Sequence, residues 1–279
     1  MPRTDKANFS RYWWHGTTPG LSLLRADFTT HEYPPHMHEA LVVAVTEQGG
    51  SIIRSRGTTE LAEPSTLFVF NPVETHAGWM GASPRWCYRA FYLERVAIAR
   101  LAQELDLGGA RFFTRNALAD DDLAALFLGL HQALERDDDP LQQRELMLTS
   151  FGQLLKRHAG ATGARTVGDN ALLRRAIDMM RETYAENPSL AAIAGHIGIS
   201  EFQVIGLFKR LLGITPHAYL TQIRLNVACH HLRRGVAIAE AAAAAGFCDQ
   251  SAMTRHFKRC YGTTPQQLAR AAGTSLRAA

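Results

Sequence analysis

The phrase LFKRLLGITP at residues 207–216 returns 49 residues later as HFKRCYGTTP at 256–265, with Phe, Lys, Arg, Gly, Thr and Pro in register. A chain that writes one phrase twice at this spacing is building one supersecondary unit twice. Ahead of the first copy, SLAAIAGHIGIS sets Leu190, Ile193, Ala194 and Ile197 on one helical face. Gly198 can end that helix with positive φ, and Ser200 can cap the next, with Gln203 completing a capping box. The second helix should then run from Glu201 to Leu212 and stop at Gly213. The second copy repeats the plan. AIAEAAAAAGFCD gives an alanine-rich helix ended at Gly246, and Asp249 caps a helix from Gln250 to Tyr261 that stops at Gly262. In both units the glycine permits the sharp bend of a helix-turn-helix. Phe208 and Phe257 fall on the inner faces, and the Lys-Arg pairs that follow them point outward. HAYLTQIRLNVACHHLRR keeps Leu220, Ile223, Val227, Ala228 and Leu232 in helical register, a long helix that can hold the two units apart. If the second helix of each unit enters successive major grooves on one side of B-DNA, their separation is about 34 Å.

Charge divides along the same line. Residues 165–279 carry 14 Lys+Arg against 7 Asp+Glu, whereas residues 1–164 carry 16 against 19. A basic C-terminal third on a mildly acidic remainder suggests that only the former meets a polyanion.

Residues 169–270 resemble the DNA-binding domain of the AraC/XylS family of bacterial transcription regulators. The resemblance rests on GF-x-D-x-S-x4-HFKR-x2-G-x-TP, read from Gly246 to Pro265. It implies seven helices, two helix-turn-helix units joined by a long helix, and binding to tandem half-sites in double-stranded promoter DNA. The DNA-binding candidates are Glu201, Phe202, Gln203, Ile205, Lys209 and Arg210 in the first unit. In the second they are Asp249, Gln250, Ser251, Thr254, Arg255, Lys258 and Arg259. Arg255 suits a bidentate guanine contact. Lys209, Arg210, Lys258 and Arg259 suit phosphate, which positions without specifying sequence. Two departures stand out: Gly206 occupies the place where the first unit should carry an Arg matching Arg255, and LAR at 268–270 replaces an aromatic-Arg pair.

The remainder predicts a different architecture. LSLLRADF, ALVVAVTE, GSIIRSRG, TLFVFNP and WCYRAFYL read as short strands over residues 20–93, and RYWWHG at 11–16 as a first barrel strand. From Glu94 the period turns helical, through VAIARLAQEL, LAALFLGLHQALER and LQQRELMLTSFGQLLKRH, with Pro140 suited to a helix start. The expected fold class is therefore α+β with two domains. Residues 1–158 form a cupin-like β-barrel followed by helices, 159–168 a linker, and 169–279 the all-α DNA-binding domain. The helices at 119–158 are candidates for a dimer contact, or equally for packing against their own barrel. The four cysteines lack a disulfide or zinc pattern. No stretch reaches the roughly 20 apolar residues of a membrane span, and the N-terminus lacks a signal-peptide core, so a cytoplasmic protein without membrane contact is expected.

His36, His38 and His76 lie on predicted strand edges, in two stretches that resemble the cupin motifs. H-x-H on a strand aims both rings to one face. The resemblance also shows what is missing. The Glu that metal cupins carry after the second His is replaced by Val42 and Val43, Glu39 would point away from His38, and Glu74 stands where Gly is usual. A metal-free polar pocket, structural histidines and a metal site remain open in that order, and no cofactor, metal or catalytic residue is assigned. Trp86, Tyr88 and Tyr92 share one strand face, opposite Arg89. The effector-binding candidates are His36, His38, Glu74, His76, Trp79 and Tyr88. Together these features predict a transcription regulator, an activator rather than an enzyme. It would be controlled by a small-molecule effector, would form a homodimer, and would have RNA polymerase as a further partner. The alternative is a cupin metalloenzyme fused to a DNA-binding module.

Overall fold

A computed structural model describes residues 8–105, 112–136, 139–160 and 171–277. The chain divides into two compact units, one built on residues 38–164 with the segment before residue 33, the other on residues 165–274 with Tyr33–Met37.

The N-terminal part of the chain runs β1 (Phe9–Trp14), β2 (Leu21–Phe28), β3 (Glu32–His36), β4 (Leu41–Gly49), β5 (Ser51–Ser55), β6 (Thr58–Ala62), β7 (Thr66–Phe70), β8 (His76–Trp79) and β9 (Trp86–Leu93). It continues through α1 (Arg95–Glu104), β10 (Phe112–Phe113), β11 (Ala117–Ala119), α2 (Asp121–Arg136), α3 (Pro140–His158) and β12 (Ala159–Gly160). One sheet has the order β1-β2-β9-β4-β7-β11 and a second β3-β8-β5-β6, with a two-stranded pair β10-β12. The large sheet is buried on both faces, which is why its strands read as almost continuous apolar runs rather than as alternation. Along β9, Trp86, Tyr88, Ala90 and Tyr92 take the inner face. Phe91 and Leu93 take the other and join Leu21, Leu23, Val43, Val45, Leu67 and Val69 in one core with Phe127 and Leu130 of α2 and Phe151 and Leu154 of α3.

That core settles what the apolar stripes of α2 and α3 do. Leu123, Phe127, Leu130 and Leu134 are essentially inaccessible and packed on the chain's own sheet, so of the two readings, dimer contact or packing on its own barrel, the α2 stripe takes the second. Leu141 is the large apolar side chain that α3 leaves exposed. Pro140 does begin α3, with the Asp139 side chain accepting from the Gln142 amide at 3.0 Å. Of the residues read as a linker, 159–160 instead pair with Phe112–Phe113, and 161–168 lie outside the described residues.

The second unit runs α4 (Ala171–Thr183), a 3₁₀ turn (Tyr184–Glu186), α5 (Leu190–Ile197), α6 (Glu201–Leu212), α7 (Pro216–Arg233), α8 (Ile238–Ala244), α9 (Gln250–Tyr261) and α10 (Pro265–Arg277). α6 and α9 have the boundaries that their caps and glycines dictate. Gly198, Gly213, Gly246 and Gly262 all adopt positive φ. Phe208 and Phe257 are fully buried. α7 packs against α4, α6, α8 and α9 and is the spine of the domain. Ala228, Ala242, Ala245 and Met253 form a small core where α7, α8 and α9 meet, the small side chains allowing close approach. Among the described residues no single helix is long and apolar enough to cross a membrane.

Candidate functional site

The DNA-binding candidates lie on two helices presented in the same way. α5 and α6 meet at a bend of 86°, close to helix-turn-helix geometry. At the start of α6, Glu201, Phe202 and Gln203 are exposed, Phe202 to 84%. Lys209 and Arg210 are exposed one to two turns later, and Ile205 is half-buried. On α9, Gln250, Ser251, Arg255, Lys258 and Arg259 are exposed.

Three of the candidates are already engaged in the fold. Gln203 completes a capping box: Ser200 Oγ accepts from the Gln203 amide at 3.3 Å, and Gln203 Oε1 accepts from the Ser200 amide at 2.9 Å. Asp249 accepts from the Ala252 amide at 2.6 Å, a bond that holds its carboxyl below the usual range. Thr254 donates its hydroxyl to the Gln250 carbonyl. These side chains set where the helices begin and how they run. Sequence reading also missed Arg224 of α7, whose guanidinium donates to the Tyr184 carbonyl at 2.7 and 3.0 Å and to Asn187 Oδ1 at 3.0 Å. It ties the spine to the turn after α4, against which Gly246 also packs.

In the barrel, the structure gathers His36, His38 and His76. All three are buried, and one ring nitrogen of each lies within 4.8 Å of those of the others. His36 ends β3, and His38 lies two residues beyond it in irregular chain. Nδ1 of His36 donates to the Pro34 carbonyl at 2.8 Å and Nδ1 of His76 to the Glu74 carbonyl at 3.0 Å. His76 stacks on Phe70 at 3.9 Å, and the His38 ring meets Tyr92 edge-on at 5.1 Å. Burial pushes the His76 imidazole down to about 4.

The other effector candidates separate. Tyr88 remains on the inner face, stacked on Trp86 at 4.3 Å and beside Phe28. Trp79 does not join it. Three residues beyond His76 on β8, it takes the opposite face, where it lies across from Ile52 and beneath the Arg54 guanidinium at 6.0 Å. Glu74 is tied into the fold, accepting from Ser55 Oγ, Arg56, the Asn71 amide, Asn71 Nδ2 and Asn116 Nδ2. With its hydrogen-bonding capacity used there, it locks the turn before β8 and is not available to a ligand. That turn carries Val73 at φ 64°, an unusual conformation for a β-branched residue, and the Val73 amide donates to the His38 carbonyl at 2.7 Å.

Behind the same sheet lies a charged cluster that no local pattern reveals. Arg89 is 4% exposed and donates to His131 Nδ1 at 2.9 Å and to Glu135 Oε2 at 2.6 Å, while Glu47 Oε1 lies 3.0 Å from its Nε. His131 in turn donates from Nε2 to the Leu24 carbonyl at 3.2 Å. The cluster fastens α2 to β2, β4 and β9.

Comparison with known proteins agrees with both halves. The family described as AraC-like ligand binding domain matches residues 18–151, and that described as helix-turn-helix domain matches residues 193–271. An HTH-type transcriptional regulator of Bacillus subtilis, YbfI, is 28% identical over 224 residues, covering 80% of this chain and 82% of its own. The thermoregulatory protein LcrF of Yersinia pestis is 30% identical over 139 residues, 48% of this chain and 51% of its own. Among solved structures, ToxT of Vibrio cholerae superposes with a TM-score of 0.55 at 10% identity, over 96% of this chain and 99% of that one. A second ToxT structure, with unsaturated fatty acid bound, gives 0.55 at 9% identity, over 96% and 97%. With the ligand-binding and helix-turn-helix modules matched in that order, the chain belongs to the AraC family of transcriptional regulators.

Proposed function

We propose that α6 and α9 read successive major grooves of promoter DNA, and that a small molecule bound on the aromatic inner face of the barrel controls that binding. The observation that carries the first part is the duplicated presentation. Both helices are capped at their first turn, anchored by a fully buried Phe, closed by a positive-φ glycine, and lined outward with Lys and Arg. Arg255 is the base-reading candidate in the second unit, and Lys209, Arg210, Lys258 and Arg259 hold phosphate. In the first unit Gly206 offers no side chain and the Gln203 carboxamide oxygen is engaged in the cap, so Phe202 carries the reading there by apolar contact with a thymine methyl. The effector part is supported by the paired aromatic and histidine side chains inside the barrel, and by a fold shared with ToxT, which holds a fatty acid. Activation through RNA polymerase, homodimer formation and residence in the cytoplasm belong to the same reading. An effector acts here only through a difference in affinity between DNA-competent and incompetent arrangements.

The test is fluorescence-anisotropy titration of the purified chain with duplexes from upstream of its own gene, against a scrambled duplex, at two salt concentrations. Preferential, salt-sensitive binding to the upstream DNA is expected. Arg255→Ala should weaken it by about 1–3 kcal/mol, roughly 5- to 150-fold, and Lys258→Ala should weaken both duplexes alike. Absence of binding to any duplex at low salt would overturn the reading.

A further inference from the structure

Inside the barrel, β4, β7 and β9 turn Ala44, Phe68 and Ala90 inward on one cross-strand row. The neighbours of Ala44 are sealed: Val42 and Thr46 along β4, and Phe68 and Ala90 across it, are each at most 4% exposed. Ala44 itself is partly accessible. On the other face Val43 and Val45 are closed under the helices, so the Ala44 methyl is reached only from within the barrel, and a hollow lies over it. The two sheets touch on either side of that row. His76 lies on Phe70 at 3.9 Å, and Trp86 lies over Gly78, where an added Cβ would come within 3.9 Å of the indole. Tyr92, paired with Val42 one row from Ala44, lies deep in the barrel yet is also partly accessible, so space meets it rather than packing. Its hydroxyl makes no hydrogen bond among the described residues, whereas the hydroxyl of Tyr12 beside it is shared with Ser22. Burial raises the Tyr92 phenol above its ordinary value, which keeps the hydroxyl a donor.

We propose that the hollow over Ala44 holds a small, uncharged, planar aromatic molecule that accepts a hydrogen bond from the Tyr92 hydroxyl. Selection for a ring comes from the walls: Phe68 and Phe70 on β7 and Tyr88 and Tyr92 on β9 bracket Ala44, and their faces and edges favour another ring over a saturated one. Selection against charge comes from the same register. The side chains that β2, β7 and β9 turn inward are uncharged, with Arg25, Asp27 and Arg89 on the opposite face. Across the barrel, burial holds the His76 imidazole down to about 4 and therefore neutral, and Glu60, paired with Ile53, stands on the edge strand β6 where solvent reaches it. A carboxylate in the hollow would lose its water without gaining a cation, and an ammonium would gain no anion. The inference rests on the barrel half of the reading above. Binding is measured without DNA, so a site that takes its ligand while DNA affinity stays unchanged would sink the control of DNA binding and not the site.

The experiment titrates the full-length chain with four probes of matched size, followed by tryptophan fluorescence and calorimetry. They are benzamide, benzoate, phenyltrimethylammonium and cyclohexanecarboxamide. Benzamide should bind one per chain at about 1 mM or tighter, in keeping with its nine non-hydrogen atoms. Benzoate and the ammonium should each bind at least about 10-fold more weakly, and the saturated amide about 2- to 10-fold more weakly. Tyr92→Phe should weaken benzamide by about 3- to 10-fold at unchanged melting temperature, because the hydroxyl it removes bonds nothing in the unliganded chain. Ala44→Leu should abolish benzamide binding while leaving the melting temperature equal or higher, since the added carbons fill empty space. No benzamide binding at about 10 mM, benzoate or the ammonium binding as tightly as benzamide, or Tyr92→Phe binding like wild type would overturn the proposal. So would an Ala44→Leu chain that is destabilised or still binds, because the space over Ala44 would then be filled or irrelevant.

Discussion

Lowering the pH from about 7.5 to about 5 should cost the barrel domain about 2 kcal/mol through His131 alone. His131 is completely inaccessible, and its tautomer is fixed: Arg89 can only donate, so Nδ1 holds the lone pair and Nε2–H reaches the Leu24 carbonyl. Protonation would set an imidazolium N–H against a guanidinium N–H in the core. Burial first, and Arg89 second, push the folded-state value down to about 3, against the contrary pull of Glu135 and with a smaller push from Arg25. The other charged groups of the cluster are Glu47, beside Arg89, and Arg11, beside Glu135. Because the unfolded value is about 6.5, the unfolded chain takes up the proton first. This contribution is fully present above about pH 6.5 and falls by about 1.36 kcal/mol per unit as the pH drops towards 3.

The assay exploits the placement of the four tryptophans, Trp13, Trp14, Trp79 and Trp86, all of which precede residue 165. Urea unfolding followed by tryptophan fluorescence therefore reports the barrel domain even where the whole chain is not two-state. His131→Gln is the comparison, because its oxygen can accept from Arg89 and its amide can donate to Leu24 without titrating. Other groups titrate in both proteins, so the informative quantity is the wild-type-minus-variant difference. It should shift by about 2 kcal/mol against the wild type between the two pH values. A difference that stays constant to within about 0.5 kcal/mol would refute the buried neutral imidazole.

Three further outcomes follow from the helical domain. Gly206→Ala should stabilise it by up to about 1 kcal/mol, since outside the local helix backbone the nearest atom to an added Cβ is Arg210 Nη1 at 3.9 Å; calorimetry should show the transition of the helical domain rising by several degrees. Gly246→Ala should do the reverse: its φ of 79° disfavours any L side chain, and the new carbon would lie 3.0 Å from Ala185 Cα and 3.1 Å from the Tyr184 carbonyl oxygen. A fall of that transition and weakened DNA binding are expected, and unchanged melting would refute the packing argument. Ser200→Ala should cost about 1 kcal/mol by removing the capping box, measured as a lower urea midpoint for the helical domain at unchanged slope.

What was legible in the sequence was local. The ends of α6 and α9 are set by residues within four positions of each boundary, a cap before and a glycine after, and both helices have the predicted limits. The long apolar strands were legible for the same reason. β3, β6 and β8 were not read beyond the edges at His36 and His76: EYPPH carries two prolines, HAGW a glycine, and TTELA no apolar alternation. The barrel site was half legible. Spacing identified the three histidines, but which face Trp79 takes depends on counting from His76 along a strand that the sequence did not reveal. Glu74 meets Asn116 across 42 positions and Arg89 meets Glu135 across 46, and no periodicity encodes such partners.

The duplication that makes the helical domain legible also limits what its two halves can share. The repeated residues are those the fold buries or bends: Phe208 and Phe257, the glycines after each helix, and the Thr-Pro that starts the next. The exposed positions between cap and Phe are not repeated. The first unit presents Glu201, Phe202 and Gln203 with bare backbone at Gly206, while the second presents Gln250, Ser251 and Arg255. On the proposed reading, an apolar ring and a guanidinium cannot select the same base, because one contacts a thymine methyl and the other the acceptor edge of guanine. Scaffold identity therefore implies equal placement of the two helices but not equal readout. On that reading the operator consists of two unlike half-sites, with the second unit supplying most of the discrimination by hydrogen bonding and the first reading an A·T-rich element by shape and apolar contact.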